Sequence, residues 1–221
     1  MLLPCSRRFE NNVIKKLTVL SSLVTLSPII LGLILWQYLP EKIPTHFDLT
    51  GQADGFSSKL EGIMGLPLII LGIHLITLFI GTKKPIITQK GAALYLIYWL
   101  LPSLCLVVQT GILLTSAGFI NRNLFNPIAG LACLLIVLGF LLPYLKQNPI
   151  MGIRLPWTLA DEDNWAKTHR FAGRIWLVGG SFLFALSYFK ADVQSAVIVV
   201  LGAMLVVPIV YSYLLNRAEK K

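Results

Sequence analysis

Six apolar runs, each near the length that a helix needs to cross a lipid bilayer, dominate this chain of 221 residues. A helix rises about 1.5 Å per residue and the hydrocarbon core is about 30 Å thick, so a crossing takes about 20 residues. The runs are Leu17–Leu39, Ile63–Ile80, Gly91–Ser116, Pro127–Leu145, Ile175–Phe189 and Ser195–Leu215. The fifth is short, and its span is expected to begin a turn earlier. Lipid offers no hydrogen bonds, so each run must satisfy its own backbone as an α-helix. Composition points the same way. The chain is 56% hydrophobic and 13% charged, whereas soluble domains are about a quarter charged. The expected fold class is therefore all-α, a polytopic six-helix transmembrane bundle forming a single integral-membrane domain over residues 1–221. Within it, residues 17–80 hold the first two spans and an extracytoplasmic turn at 40–61. Residues 146–215 hold a cytoplasmic loop and the last two spans.

Charge placement gives the orientation. Lys and Arg accumulate on the cytoplasmic side of a membrane. One set of connecting segments carries Arg7, Arg8, Lys15, Lys16, then Lys83, Lys84, Lys90, then Lys146, Arg154, Lys167, Arg170, Arg174, and finally Arg217, Lys220 and Lys221. The alternate set carries only Lys42, Lys59, Arg122 and Lys190. Both termini are thus expected in the cytoplasm. The same asymmetry accounts for the net charge of +9 without a nucleic-acid partner. The first run is longer than a signal-peptide core and no A-x-A-like site follows it, so it is read as a retained helix.

Cys5, Cys105 and Cys133 form no CxxC pair and suggest neither a disulfide framework nor a zinc site. No cofactor is implied. Pro28, Pro102 and Pro208 lie within spans, and each removes one helical N–H. Small residues at Ser181, Ala185, Gly179 and Gly180 suit close helix packing. No Asp, Glu, Lys or Arg falls in the middle of a span. The polar exceptions are His74 in the second run and Gln109 in the third. His74 is read as a neutral histidine bonded to a neighbouring helix, with a proton carrier or ligand as the alternative.

Two polar segments remain. The outer one contains His46, Phe47, Asp48, Gly51 and Asp54 among prolines and glycines, and is expected to form a compact hydrogen-bonded turn. His46, Asp48 and Asp54 are also the sole, weak candidates for a metal site; the glycine spacing does not suit a calcium loop. In the inner segment, Thr158 with Asp161 three residues on fits a helix-start capping box, with Asp161, Glu162 and Asp163 in the first turn. Trp165, Thr168, His169, Ala172 and Trp176 share one face at helical spacing. A short amphipathic helix on the cytoplasmic interface, leading into the fifth span, is expected. Trp157 and Trp165 stand either as interfacial anchors or, with Arg154 and His169, as part of a docking surface.

The inner string Gly152-Ile-Arg154-Leu-Pro156-Trp157-Thr158-Leu, with Asn148 before it and Trp165-x-x-Thr168-His169 and Gly173-Arg174 after it, resembles the signature of the SdpI-type bacterial immunity proteins. The outer string Ile43-Pro44-x-His46-Phe47-Asp48-x-x-Gly51-x-x-Asp54 resembles the small domain of unknown function that begins many of them. Leu155 departs from the pattern, which has a small hydroxylated residue before the proline. The resemblance implies a multi-pass protein of the bacterial cytoplasmic membrane, in contact with its lipids, that protects its host against a secreted peptide toxin. It further implies that some members recruit a cytosolic transcriptional repressor to the membrane. The residues of the two strings are then partner-binding candidates, and no enzymatic activity is expected. A small-molecule or ion transporter, or a membrane enzyme built on His74, His169 or the His46–Asp48–Asp54 cluster, is the competing reading.

Overall fold

A computed structural model describes residues 4–48, 52–82, 92–121, 126–148, 151–189 and 193–218. Gly51, the Lys83–Lys84–Lys90 cluster, Arg122 and the expected Lys190–Asp192 turn lie outside them. The elements in chain order are helix α1 (Pro4–Ile34), strands β1 (Lys42–Phe47) and β2 (Ala53–Ser58), then helices α2 (Lys59–Thr82), α3 (Ala92–Ser116), α4 (Pro127–Leu141), α5 (Pro156–Ala160), α6 (Glu162–Leu186) and α7 (Val193–Ala218). They divide into two compact units, Met1–His46 with Gly55–Phe125, and Phe47–Asp54 with Asn126–Lys221.

Among the described residues five helices are long and apolar enough to cross a membrane: Asn12–Ile34, Lys59–Ile80, Leu96–Ser116, Pro127–Tyr144 and Gln194–Ala218. Their outward faces stay apolar, with Leu23 60%, Ile76 61%, Val107 68% and Val199 68% exposed. Faces of that kind suit lipid and not water. The expected sixth span falls in α6, whose opening turns are charged. Its apolar part, residues 175–186, covers only about 18 Å at helical rise. The short amphipathic helix expected before it is not a separate element: α6 runs unbroken from Glu162 to Leu186.

The structure corrects the sequence reading in three further places. The first apolar run leaves the α-helix at Ile34 and closes in a 3₁₀ turn, Trp36–Tyr38. The outer segment is not a bare turn but a two-stranded hairpin, so the fold is helical with one small sheet. Asp48 sets the hairpin end: its N–H donates to the Gln52 carbonyl at 2.9 Å and its carboxylate accepts the Gln52 N–H at 2.9 Å. Finally, α6 is capped by Asp161, which accepts the Asp163 N–H at 2.8 Å, and not by Thr158. A capping box does exist at the start of α2, spelled Ser58-Lys-Leu-Glu61. The Ser58 N–H and hydroxyl donate to the Glu61 carboxylate at 3.2 and 2.8 Å.

Prolines inside the helices explain several polar side chains. A helical proline leaves the carbonyl four residues earlier without its donor. Pro28 frees the Val24 carbonyl, and the Ser27 hydroxyl donates to it at 2.8 Å. Pro67 frees that of Ile63, and the Gln109 side-chain amide, through Nε2, donates from α3 to the Gly62 and Ile63 carbonyls at 2.7 and 3.3 Å. Pro208 frees that of Met204, which accepts from Trp176 Nε1 at 3.0 Å. Gln109 is thus a structural donor that links α3 to α2.

In the first unit α1, α2 and α3 pack on one another. His74 is fully buried and bonds across to the neighbouring α1, with Nε2 2.8 Å from Ser21 Oγ. In the second unit α4, α6 and α7 enclose a core of Ala132, Leu135, Leu183, Val197 and Met204. The α4–α6 seam is antiparallel, and glycines bring the two backbones close at two levels. A Cβ added at Gly173 would stand 2.7 Å from the Gly139 carbonyl oxygen, and one at Gly180 would stand 3.1 Å from that of Ala132.

Candidate functional site

The inner motif folds into a loop clamped onto the start of α6, and its polar atoms are nearly all spoken for. Asn148 is buried; its Oδ1 accepts the Met151 N–H at 2.7 Å and its Nδ2 donates to the Lys146 carbonyl at 2.8 Å. Gly152 follows with φ +108°, and it brings the backbone against the rings of Trp165 and His169. The next amide, Ile153 N–H, donates to His169 Nε2 at 3.0 Å. An amide can only donate, so Nε2 must accept, which leaves the ring proton on Nδ1. Nδ1 is 2.8 Å from the Trp165 carbonyl and donates to it. The imidazole is thereby fixed as one neutral tautomer, stacked on the Trp165 indole with ring centroids 4.0 Å apart.

Thr158 compensates for Leu155, which has no side-chain oxygen to cap α5. The Thr158 hydroxyl accepts the Leu155 N–H at 2.9 Å and donates to the Ile153 carbonyl at 2.8 Å. Pro156 occupies the first turn of α5, where its missing N–H costs nothing. Trp157 then ties α5 to α7, with Nε1 donating to Ser212 Oγ at 3.0 Å and its ring edge against Tyr213. Asn164 donates to the Ser212 carbonyl at 3.0 Å and accepts from the Thr168 hydroxyl at 3.1 Å. Asn164 and Ser212 escape a reading based on motifs. Only the four-residue spacing of Asn164 and Thr168 hints at the first.

The face predicted at Trp165, Thr168, His169 and Ala172 is buried, with Trp176 half-buried beside it. This decides between the readings of Trp165. At 2% exposure, with Nε1 donating to the Leu145 carbonyl at 2.7 Å, it is neither an interfacial anchor nor a docking surface. His169 is likewise internal. Of the inner motif residues described, Gly152, Arg154, Pro156 and Arg174 are exposed and Trp157 is half-buried; Arg170, one turn before Arg174 on α6, is exposed as well.

Burial holds the His169 pKa below its ordinary value, against a smaller opposing effect of the Trp165 carbonyl. The unfolded chain therefore takes up a proton more readily than the folded one. The stability contributed by the neutral ring is present above pH about 7. It is lost as pH falls through about 6.5, and the loss levels off below the depressed folded value. Thermal unfolding in detergent between pH 8 and pH 5 is expected to show this decline in the wild type. His169→Gln should show a flatter profile. Equal slopes would remove His169 as the cause.

The hairpin places its motif residues differently. His46 and Asp54 are exposed, Phe47 and Asp48 half-buried. Among the described residues no three His, Cys, Asp or Glu side chains gather into a metal-holding group, so the weak candidates His46, Asp48 and Asp54 do not converge. At the base of the hairpin, within the first unit, lies a cleft of about 240 Å³. Gln109 and Ile112 form its floor, Leu66 and Ile69 a wall, and Thr45, Ser57 and Glu61 a rim.

Apolar helix faces and interhelical polar bonds define a multi-pass helical membrane protein with one built polar loop. The SdpI/YfhL protein family profile matches residues 144–212. A domain of unknown function (DUF1648) matches residues 23–71. The chain is 32% identical over 201 residues to Immunity protein SdpI of Bacillus subtilis (strain 168), covering 90% of this chain and 95% of that relative. It belongs to the SdpI family. No solved structure matches it.

Proposed function

We propose that this chain is an immunity protein of the bacterial cytoplasmic membrane that protects its cell by binding a secreted peptide toxin there. The observation that carries this reading is the relationship to an immunity protein along nearly the whole chain. In the proposed arrangement six helices cross, both termini are cytoplasmic, the hairpin faces outward and the Gly152 loop faces inward. The antiparallel α4–α6 seam supports counting α6 as the sixth crossing, since it aligns α6 with the middle of a helix long enough to span. The charge asymmetry supports the orientation. The protein is read as a binder and not as an enzyme or transporter.

A second role, holding a cytosolic repressor at the membrane, is favoured by one feature of the loop. Trp165 and His169 are buried and Trp157 is half-buried against α7, while Arg154, Arg170 and Arg174 stay exposed, which suits an acidic partner surface. One experiment tests both. The protein is produced in a bacterium sensitive to secreted amphipathic peptide toxins. Survival is expected to rise at least tenfold against a member of the panel. Arg154→Ala should keep that protection and lose membrane recruitment of the repressor. Unchanged killing by every peptide would sink the immunity reading, and recruitment indifferent to Arg154 would sink the second.

A further inference from the structure

We infer that the cleft at the base of the hairpin is the seat for a cationic, amphipathic peptide, taking one or two of its large apolar side chains while Glu61 meets a flanking Lys or Arg. The inference rests on the immunity reading for the identity of the partner, but its argument comes from the cleft. The volume of about 240 Å³ is below the roughly 300–1,000 Å³ of pockets that enclose drug-sized molecules. It suits side chains inserted from a larger ligand that stays outside.

The lining has the required chemistry. Leu66 and Ile69 supply apolar walls above the buried Ile112 of the floor. Gly65 opens the wall, since a Cβ placed there would meet nothing within 4 Å. The floor is rigid because the Gln109 amide is already bonded to the Gly62 and Ile63 carbonyls. The rim carries Glu61, held in place by Ser58.

Charge selects the partner. In a chain of net charge +9, residues 40–61 carry Glu41, Asp48, Asp54 and Glu61 against Lys42 and Lys59. Lys59 is moreover bridged to Glu41 at 3.0 Å and lies over the Trp36 ring. The hairpin and its base are therefore net acidic. They would attract a cationic peptide and repel an anionic one.

The test uses the full chain in nanodiscs of phosphatidylcholine and a fluorescein-labelled synthetic peptide of Leu and Lys at amphipathic helical spacing. Empty nanodiscs give the background. Gly65→Phe fills the cleft where space is open, and Gly72→Phe is its control, on the same helix, equally open and outside the cleft. Glu61→Gln removes the charge and keeps the capping box, which glutamine also satisfies. Gly65→Phe is expected to weaken binding at least tenfold, Glu61→Gln several-fold with a reduced salt dependence, and Gly72→Phe not at all. Circular dichroism and unfolding temperature establish that the variants fold. Wild-type binding no better than empty nanodiscs, or equal binding by wild type and Gly65→Phe, overturns the cleft. Equal loss in both phenylalanine variants overturns it too. The two readings fail separately. A cleft overturned while the wild type still protects cells leaves immunity standing, whereas a wild type that never protects removes immunity and leaves the binding comparison to decide on the cleft.

Discussion

Gly152→Ala is expected to destabilise the second unit by about 3 kcal/mol, combining backbone strain with a broken, buried hydrogen bond. At φ +108° an L side chain is strained whatever surrounds it, and here its Cβ would also collide with His169 Nε2 and stand 3.0 Å from the Trp165 ring. The imidazole would have to leave, taking with it the acceptor of the Ile153 N–H. Gly118→Ala separates the two causes: its φ is +81° but nothing lies within 4 Å of the added atom. It should cost about 1 kcal/mol, from strain alone. A double variant sharpens the point. Once His169→Ala has removed the ring, adding Gly152→Ala should cost much less than it does in the wild type, because the collision is gone. Thermal unfolding in detergent measures the four variants against the wild type. Strictly additive costs would show that Gly152 and His169 do not meet.

Gly173→Leu is expected to be more damaging still, because the obstacle is backbone. Its Cβ would stand 2.7 Å from the Gly139 carbonyl oxygen and 2.9 Å from the Pro143 ring, neither of which can rotate away. Overpacking a tight seam costs about 1–3 kcal/mol where side chains can give. Here α4 and α6 must separate, so little folded protein should survive extraction. Gly130→Leu, on α4 itself, is the control. Nothing lies within 4 Å of its added atom, and the better helix propensity of leucine should leave stability unchanged or slightly raised. The fraction of monodisperse protein after size-exclusion chromatography in mild detergent reports both. Comparable yields from Gly173→Leu and wild type would mean that the seam is not this close.

Much of the architecture is legible because lipid leaves the chain few choices. The third apolar run returns as α3 from Ala92 to Ser116 and Ser195–Leu215 lies inside α7, since a long apolar run has no other way to satisfy its backbone. The buried stripe through Trp165, Thr168, His169 and Ala172 is legible for a similar reason: helical spacing alone puts those residues on one face. The hairpin is not legible. Its strands carry Pro44, Gly55 and several polar residues, so no alternating apolar signal marks them. Nor is the start of α6. Thr158 and Asp161 are both good caps, and the choice depends on whether the Thr158 hydroxyl is needed elsewhere, which it is, by Leu155 and Ile153.

The sequence by itself determined which segments are helical and lipid-facing, which residues form the two motifs, and that charge is concentrated in alternate connections. Those properties are local, set by length, spacing and the cost of taking polar groups out of water. Only the tertiary structure decided what the motif residues do. It turned Trp165 and His169 inward to fix a neutral tautomer against the Ile153 amide, and it assigned Gln109 and Trp176 to carbonyls freed by prolines on other helices. It also opened a cleft beside Gly65. Each of these depends on which atoms of distant segments meet, because a buried donor or acceptor must find a partner and the nearest one is rarely close in sequence.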